Sequence, residues 1–103
     1  MLQEEVFFVN VIKQPAQAGT LESNDITVTI APAANGITID LTSIVMVQYG
    51  DKIRTVIETT LKEQGIANAL VKANDRGALD CTIQARVLTA LARSGAVVKE
   101  VIS

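Results

Sequence analysis

The stretch from Asp25 to Ser43, DITVTIAPAANGITIDLTS, decides the fold class. Ile26, Val28 and Ile30 alternate with Thr27, Thr29 and Ala31. Successive side chains of a strand point to opposite faces, so this segment has one apolar face and reads as a half-buried strand. Pro32 has no N–H to give to a ladder and ends it. Ile37, Ile39 and Leu41 alternate with Thr38, Asp40 and Thr42 in a second strand, and the intervening APAANG makes the pair read as a β-hairpin. Strands of this kind need cover on one face only, which the rest of the chain has to supply.

Downstream, Val45, Tyr49, Ile53, Val56, Ile57, Thr60 and Leu61 follow the spacing of one helical stripe, with Lys52, Arg54, Glu58 and Lys62 turned away. Ser43 is the expected N-cap and Gly65 the stop. Gly50 costs about 1 kcal/mol inside a helix relative to alanine, yet the stripe running through Val45 and Tyr49 favours one long helix. Ile66 to Ala73, bounded by Gly65 and the loop NDRG, reads as a third strand. Asp80 is placed to cap a second helix, with Ile83, Val87, Ala90 and Leu91 facing the core and Gly95 closing it.

The order β, β, α, β, α predicts an α+β fold, a two-layer sandwich with two helices on one face of a small mixed sheet. A right-handed crossover makes the second and third strands parallel, with the first strand expected between them. At 103 residues the chain has room for one domain. Residues 13–95 are expected to form it, with residues 1–12 an N-terminal extension or tail and residues 96–103 a C-terminal tail. Before Ala18 the only pattern is the apolar run Val6 to Ile12, which fits an edge strand, a tail or an added segment equally well.

Composition narrows the function. Apolar residues make up 49% of the chain but aromatics only 3%, so the core is built from Val, Ile, Leu and Ala. A net charge of -2 with both signs spread along the chain leaves no basic cluster for a run of phosphates, which argues against nucleic-acid binding. The Val6 to Ile12 run is broken by Asn10 and is far short of the roughly 20 residues of a membrane span. It also follows two glutamates rather than a basic segment, so it reads as neither signal peptide nor anchor, and a cytoplasmic protein is expected. A single cysteine agrees with a reducing compartment. With no histidine, Ser-His and Cys-His nucleophile activation and most zinc sites are absent, which weighs against an independent enzyme.

Neither GxGxxG nor GxxxxGK[ST] occurs, so the common nucleotide cradles are missing. Cys81, near a helix start, reads as a small core residue. Asp51 and Arg54 read as an exposed pair, and Arg76, Asp80 and Arg86 as a loop residue, a cap and a solvated arginine. Ser23, in the polar knot Glu22-Ser23-Asn24-Asp25, is either a turn residue or an acceptor hydroxyl on which another enzyme builds; without a base it is no hydrolytic nucleophile.

Three stretches then belong together: QPAQAGTLES from Gln14 to Ser23, YGDKIRTVI from Tyr49 to Ile57, and NDRGALDCTIQARVLTALAR from Asn74 to Arg93. In this order and with these separations the chain resembles the acyl carrier, or gamma, subunits of bacterial citrate lyase. The resemblance implies that Ser23 is joined through a phosphodiester to 2'-(5''-phosphoribosyl)-3'-dephospho-coenzyme A, whose thiol carries acetyl and then citryl. It implies an alpha subunit that exchanges acetyl for citrate, a beta subunit that cleaves the citryl carrier to oxaloacetate, and a transferase that attaches the group. The chain itself would be a non-catalytic carrier with no metal, nucleic acid or membrane partner. Within that resemblance Ile53 and Leu79 are expected to pack the domain. The alternatives are the carrier subunit of malonate decarboxylase, which uses a similar group, and a scaffolding or regulatory domain in which Ser23 is an ordinary or phosphorylated loop residue.

Overall fold

The two alternating segments do become strands, but they do not pair with one another. The computed structural model describes residues 9–99. Along these residues run β1 (Ala16–Ala18), β2 (Ile26–Ala31), β3 (Ile37–Ser43), α1 (Met46–Glu63), β4 (Ala69–Asp75) and α2 (Asp80–Arg93). The strands form one mixed sheet in the order β1-β2-β4-β3. β4 lies antiparallel to β2, with Val28 opposite Ala73 and Ile30 opposite Val71. It lies parallel to β3, with Ile39 opposite Val71 and Leu41 opposite Ala73.

The expected hairpin is therefore split, and the strand between its arms is β4 rather than β2 taking the centre. The reason lies in the connection. Residues 32–36 have to step over one strand, about 9.6 Å at two strand spacings, and five residues reach that easily. The loop is tied to the start of the inserted strand: Ala69 N–H donates to the Gly36 carbonyl at 3.0 Å, and Gly36 N–H to Asn68 Oδ1 at 2.7 Å. The parallel pairing expected across the long helix is present. The short β1 on the outer edge of β2 has no counterpart in the sequence reading.

Both helices cover one face, α2 over β1 and β2 and α1 over β3. Ile26, Val28, Ile30, Leu41, Ala69, Val71 and Ala73 point into the core, where they meet Ile53, Ile57 and Leu61 from α1 and Ile83, Val87, Ala90 and Leu91 from α2. Burying each larger aliphatic side chain contributes roughly 1.5–3 kcal/mol. The opposite face carries the exposed Thr38, Asp40, Thr42, Leu70 and Lys72.

α1 is continuous through Gly50 and ends at Glu63, with Gln64 as its C-cap before Gly65. Its first turn departs from expectation. Tyr49 is 53% exposed on an open cleft facing the loop after β4, whereas Val45 and Met46 at the same end of the helix pack against the core. Ser43 is not the cap. It closes β3, and its hydroxyl donates to Asp75 at 2.8 Å while accepting the Val45 N–H at 3.0 Å. Asp80 is the first residue of α2 and makes no capping bond; Leu79 precedes it as N-cap.

At the far ends of both helices, Asn10 Nδ2 donates to the Gln64 carbonyl at 2.7 Å and the Val97 carbonyl at 2.6 Å, while Ile12 and Ala96 are buried. Of the Val6 to Ile12 run, residues 6–8 lie outside the described residues. No helix among the described residues is long and apolar enough to cross a membrane.

Candidate functional site

Ser23 sits at the corner of the β1–β2 connection. Asp25 N–H donates to the Glu22 carbonyl at 3.2 Å, closing a turn in which Ser23 is the second residue and Asn24 the third. Asn24 has φ 66, a left-handed value that such third positions take and asparagine tolerates. Ser23 is exposed, and its hydroxyl has no hydrogen-bond partner among the described residues. An acceptor hydroxyl engaged with its own loop would have to break that bond before reacting; this one does not.

The rest of the loop is held tightly from three directions. At its start Gly19 has φ 95, and a Cβ there would fall 1.8 Å from the Ile26 carbonyl oxygen, so only glycine fits the first position of GTLES. At its end the loop is stitched to the RGALD segment, where Asn24 N–H donates to the Arg76 carbonyl at 2.8 Å and Arg76 N–H to the Asp25 carbonyl at 2.8 Å. From α2, Arg86 grips the Asp25 carboxylate in a two-pronged pair, Nε to Oδ1 at 3.0 Å and Nη2 to Oδ2 at 2.8 Å.

Asp25 is the hub. Its Oδ2 also accepts the Thr20 hydroxyl at 2.7 Å and the Thr20 N–H at 3.2 Å, and its Oδ1 accepts its neighbour Ile26 N–H at 2.7 Å. The Arg86 hydrogen bonds, supported by those from Thr20 and Ile26, hold its carboxyl well below the usual carboxylate range despite burial. Asp75 organises the facing loop in the same manner, accepting Gly77 N–H at 3.1 Å, Ala78 N–H at 2.9 Å and the Ser43 hydroxyl.

Beside this seam a cleft of about 470 Å³ opens between the start of α1 and the loop after β4. Val45, Tyr49, Ile53, Ala78 and Leu79 line it, with Lys52 and Asp80 among its polar groups. Leu79, expected to pack the core, is 69% exposed because its loop turns outward before α2 begins.

The chain matches the family model described as ACP: malonate decarboxylase delta subunit (MdcD) over residues 13–94. It is 57% identical to the citrate lyase acyl carrier protein of Lacticaseibacillus casei, over 81% of this chain and 82% of that one. It is 58% identical to the citrate lyase acyl carrier protein of Streptococcus uberis over 81% of this chain. The chain belongs to the family of citrate lyase acyl carrier proteins. A chain of a Pseudomonas malonate decarboxylase hetero-tetramer, crystallised with malonate, shares the fold at a TM-score of 0.71 and 19% identity, covering 84% of this chain and 90% of that one.

As an acyl carrier protein the chain is non-catalytic, and its arrangement is that of a presenting scaffold. The structure joins the GTLES and RGALD stretches that sequence alone could only place side by side in a pattern. It also corrects several readings. Arg86 is not merely solvated, since it anchors the Ser23 loop. Asp51 and Arg54 do not pair; Arg54 Nη1 instead donates to the Ile39 carbonyl at 2.8 Å, reaching back over β3. Cys81 is exposed rather than buried, because the second position of α2 falls on the helix face away from Ile83 and Val87. Nothing local marks Asp25 as a site residue, because turn aspartates are common and its partner on α2 lies 61 positions away.

Proposed function

We propose that Ser23 carries 2'-(5''-phosphoribosyl)-3'-dephospho-coenzyme A through a phosphodiester, and that the chain serves citrate lyase. The observation behind this is the Ser23 hydroxyl itself, exposed and without a partner among the described residues, at the corner of a loop that is otherwise tied down. Such a corner fits attachment of a bulky group, since nothing in the loop has to open to admit it. The group, once attached, supplies a distant thiol that holds acetyl and citryl as thioesters during cleavage of citrate to acetate and oxaloacetate.

This chain's part is mechanical. Asp25, Arg86 and the Arg76 backbone hold the turn while Ser23 stays outside the packed layer, so the attached arm moves from a fixed base. A tether of this kind raises the effective concentration of the acyl group at each catalytic subunit. The partners on this reading are the alpha subunit, which exchanges acetyl for citrate, the beta subunit, which cleaves the citryl carrier, and the transferase that attaches the group. We place the carrier in the cytoplasm, consistent with its one free cysteine. The high identity to citrate lyase carriers favours that complex over malonate decarboxylase, whose carrier shares the fold at much lower identity.

Intact mass of the carrier purified from cells expressing the citrate lyase subunits and the transferase tests the reading. The expected result is the mass of the adduct in the wild type and the unmodified mass in Ser23→Ala, with the fold of the variant retained by circular dichroism. An unmodified wild type contradicts the carrier assignment, and an adduct on the alanine variant contradicts the position.

A further inference from the structure

The cleft beside the Ser23 loop has a largely apolar lining, with Lys52, Asp75 and Asp80 as its charged groups, that nothing among the described residues covers. Tyr49 and Leu79 stand open on its walls at 53% and 69% exposure, over a floor that includes the buried Ile53. Its volume of about 470 Å³ lies within the roughly 300–1,000 Å³ common for small-molecule sites. We propose that this cleft holds the adenosine end of the group carried on Ser23, with the adenine against the Tyr49 ring and the diphosphate beside Lys52. The inference rests on attachment at Ser23.

Three observations carry it. The cleft and the attachment turn share a seam: Gly77 lines the cleft, a Cβ on it would stand 3.6 Å from Asn24 Oδ1, and Asn24 is bonded to the carbonyl of Arg76. Between the Ser23 oxygen and the adenosine of such a group lie only one phosphate and one ribose, so the adenine is the first aromatic surface that the tether brings to this wall. Base-on-aromatic stacking requires no particular base edge, which suits an open wall with a single ring. Lys52 completes the match. Its Nζ is 3.5 Å from Asp80 with both side chains more than half exposed, a pairing weak enough for the ammonium to turn to a phosphate.

The consequence is a shorter swinging arm. With the nucleotide end held in the cleft, only the pantetheine portion sweeps out from the carrier, which narrows the volume searched and raises the effective concentration of the thiol at a docked subunit.

Tyr49 is the one tyrosine of a chain without tryptophan, so its emission reports on this cleft alone. Apo and loaded carrier, distinguished by intact mass, are compared by tyrosine fluorescence and by the NMR shifts of the Tyr49 ring and the Gly77 and Leu79 amides. The expected result is a loss of Tyr49 emission on loading, as the ring stacks with adenine, together with shifts at all three residues. In loaded Tyr49→Leu, the Gly77 and Leu79 shifts should shrink toward the apo positions. A carrier whose mass shows the adduct but whose Tyr49 emission and cleft shifts are unchanged overturns this inference and leaves the attachment intact. So does a cleft that responds only when the catalytic subunits are added, which would make it their docking surface. A wild type that never acquires the adduct overturns both.

Discussion

Arg86 and Asp25, 61 positions apart in the chain, meet in a two-pronged ion pair that fastens α2 to the loop bearing Ser23. The Asp25 side chain is only 11% exposed and that of Arg86 37%, so the carboxylate is the buried partner and the guanidinium its cover. The pair ties one helix to one turn.

Replacing Asp25 by alanine removes the common acceptor of Thr20, Ile26 and Arg86. The expected cost is about 2–3 kcal/mol, the range for losing charge-assisted hydrogen bonds in a buried setting. Urea unfolding measures it, and hydrogen exchange should show faster exchange concentrated in residues 20–26. Wild-type stability in the alanine variant would mean that the loop is held by its backbone bonds alone.

The same carboxylate sets an acid limit. Its folded pKa lies below the ordinary 3.8 of an unfolded aspartate, so its stabilisation is complete above about pH 4. As the pH falls below that value the unfolded state takes up the proton first and the contribution is lost. Arg86→Ala, lacking the main cause of the shift, should show a smaller drop in unfolding midpoint between about pH 5 and pH 2.5 than the wild type. Parallel curves for the two proteins would remove Arg86 as the cause.

Two glycines with positive φ should respond differently to alanine. Gly19→Ala places a Cβ 1.8 Å from a carbonyl oxygen at φ 95, whereas Gly36→Ala at φ 86 meets nothing within 4 Å. Gly36→Ala is expected to cost about 1 kcal/mol, from conformation alone. Gly19→Ala adds a clash with backbone to about 1–3 kcal/mol of strain and should unfold far more readily or fail to accumulate. Thermal melts of the two variants side by side give the ranking.

Cys81 stands exposed on α2. It should be alkylated by iodoacetamide in the folded carrier at a rate close to that in denaturant, and Cys81→Ala should change stability by less than about 0.5 kcal/mol. Protection of the thiol in the native protein would restore its reading as a core residue.

How much of this was legible in the sequence follows from the range of each interaction. Strand alternation and helical stripes are local, so Ile26–Ala31, Ile37–Ser43 and the two helices were readable, including the unbroken passage through Gly50. The misreadings occurred where a residue's fate depends on what lies opposite. Tyr49 continues a perfect stripe yet faces open space, and Cys81 and Leu79 follow the orientation of a loop and a first turn that no periodicity describes.

Local patterning settles the inventory: two alternating strands, a third apolar strand, two amphipathic helices, a histidine-free composition and the motifs that mark an acyl carrier. Only the packed fold settles which strand lies between β2 and β3, because β4 pairs antiparallel with one and parallel with the other while the five residues after β2 are long enough to step across it. It alone decided what holds the Ser23 loop, because the glycine, the RGALD backbone and Arg86 reach that loop from separate parts of the chain and act only once the layers have packed.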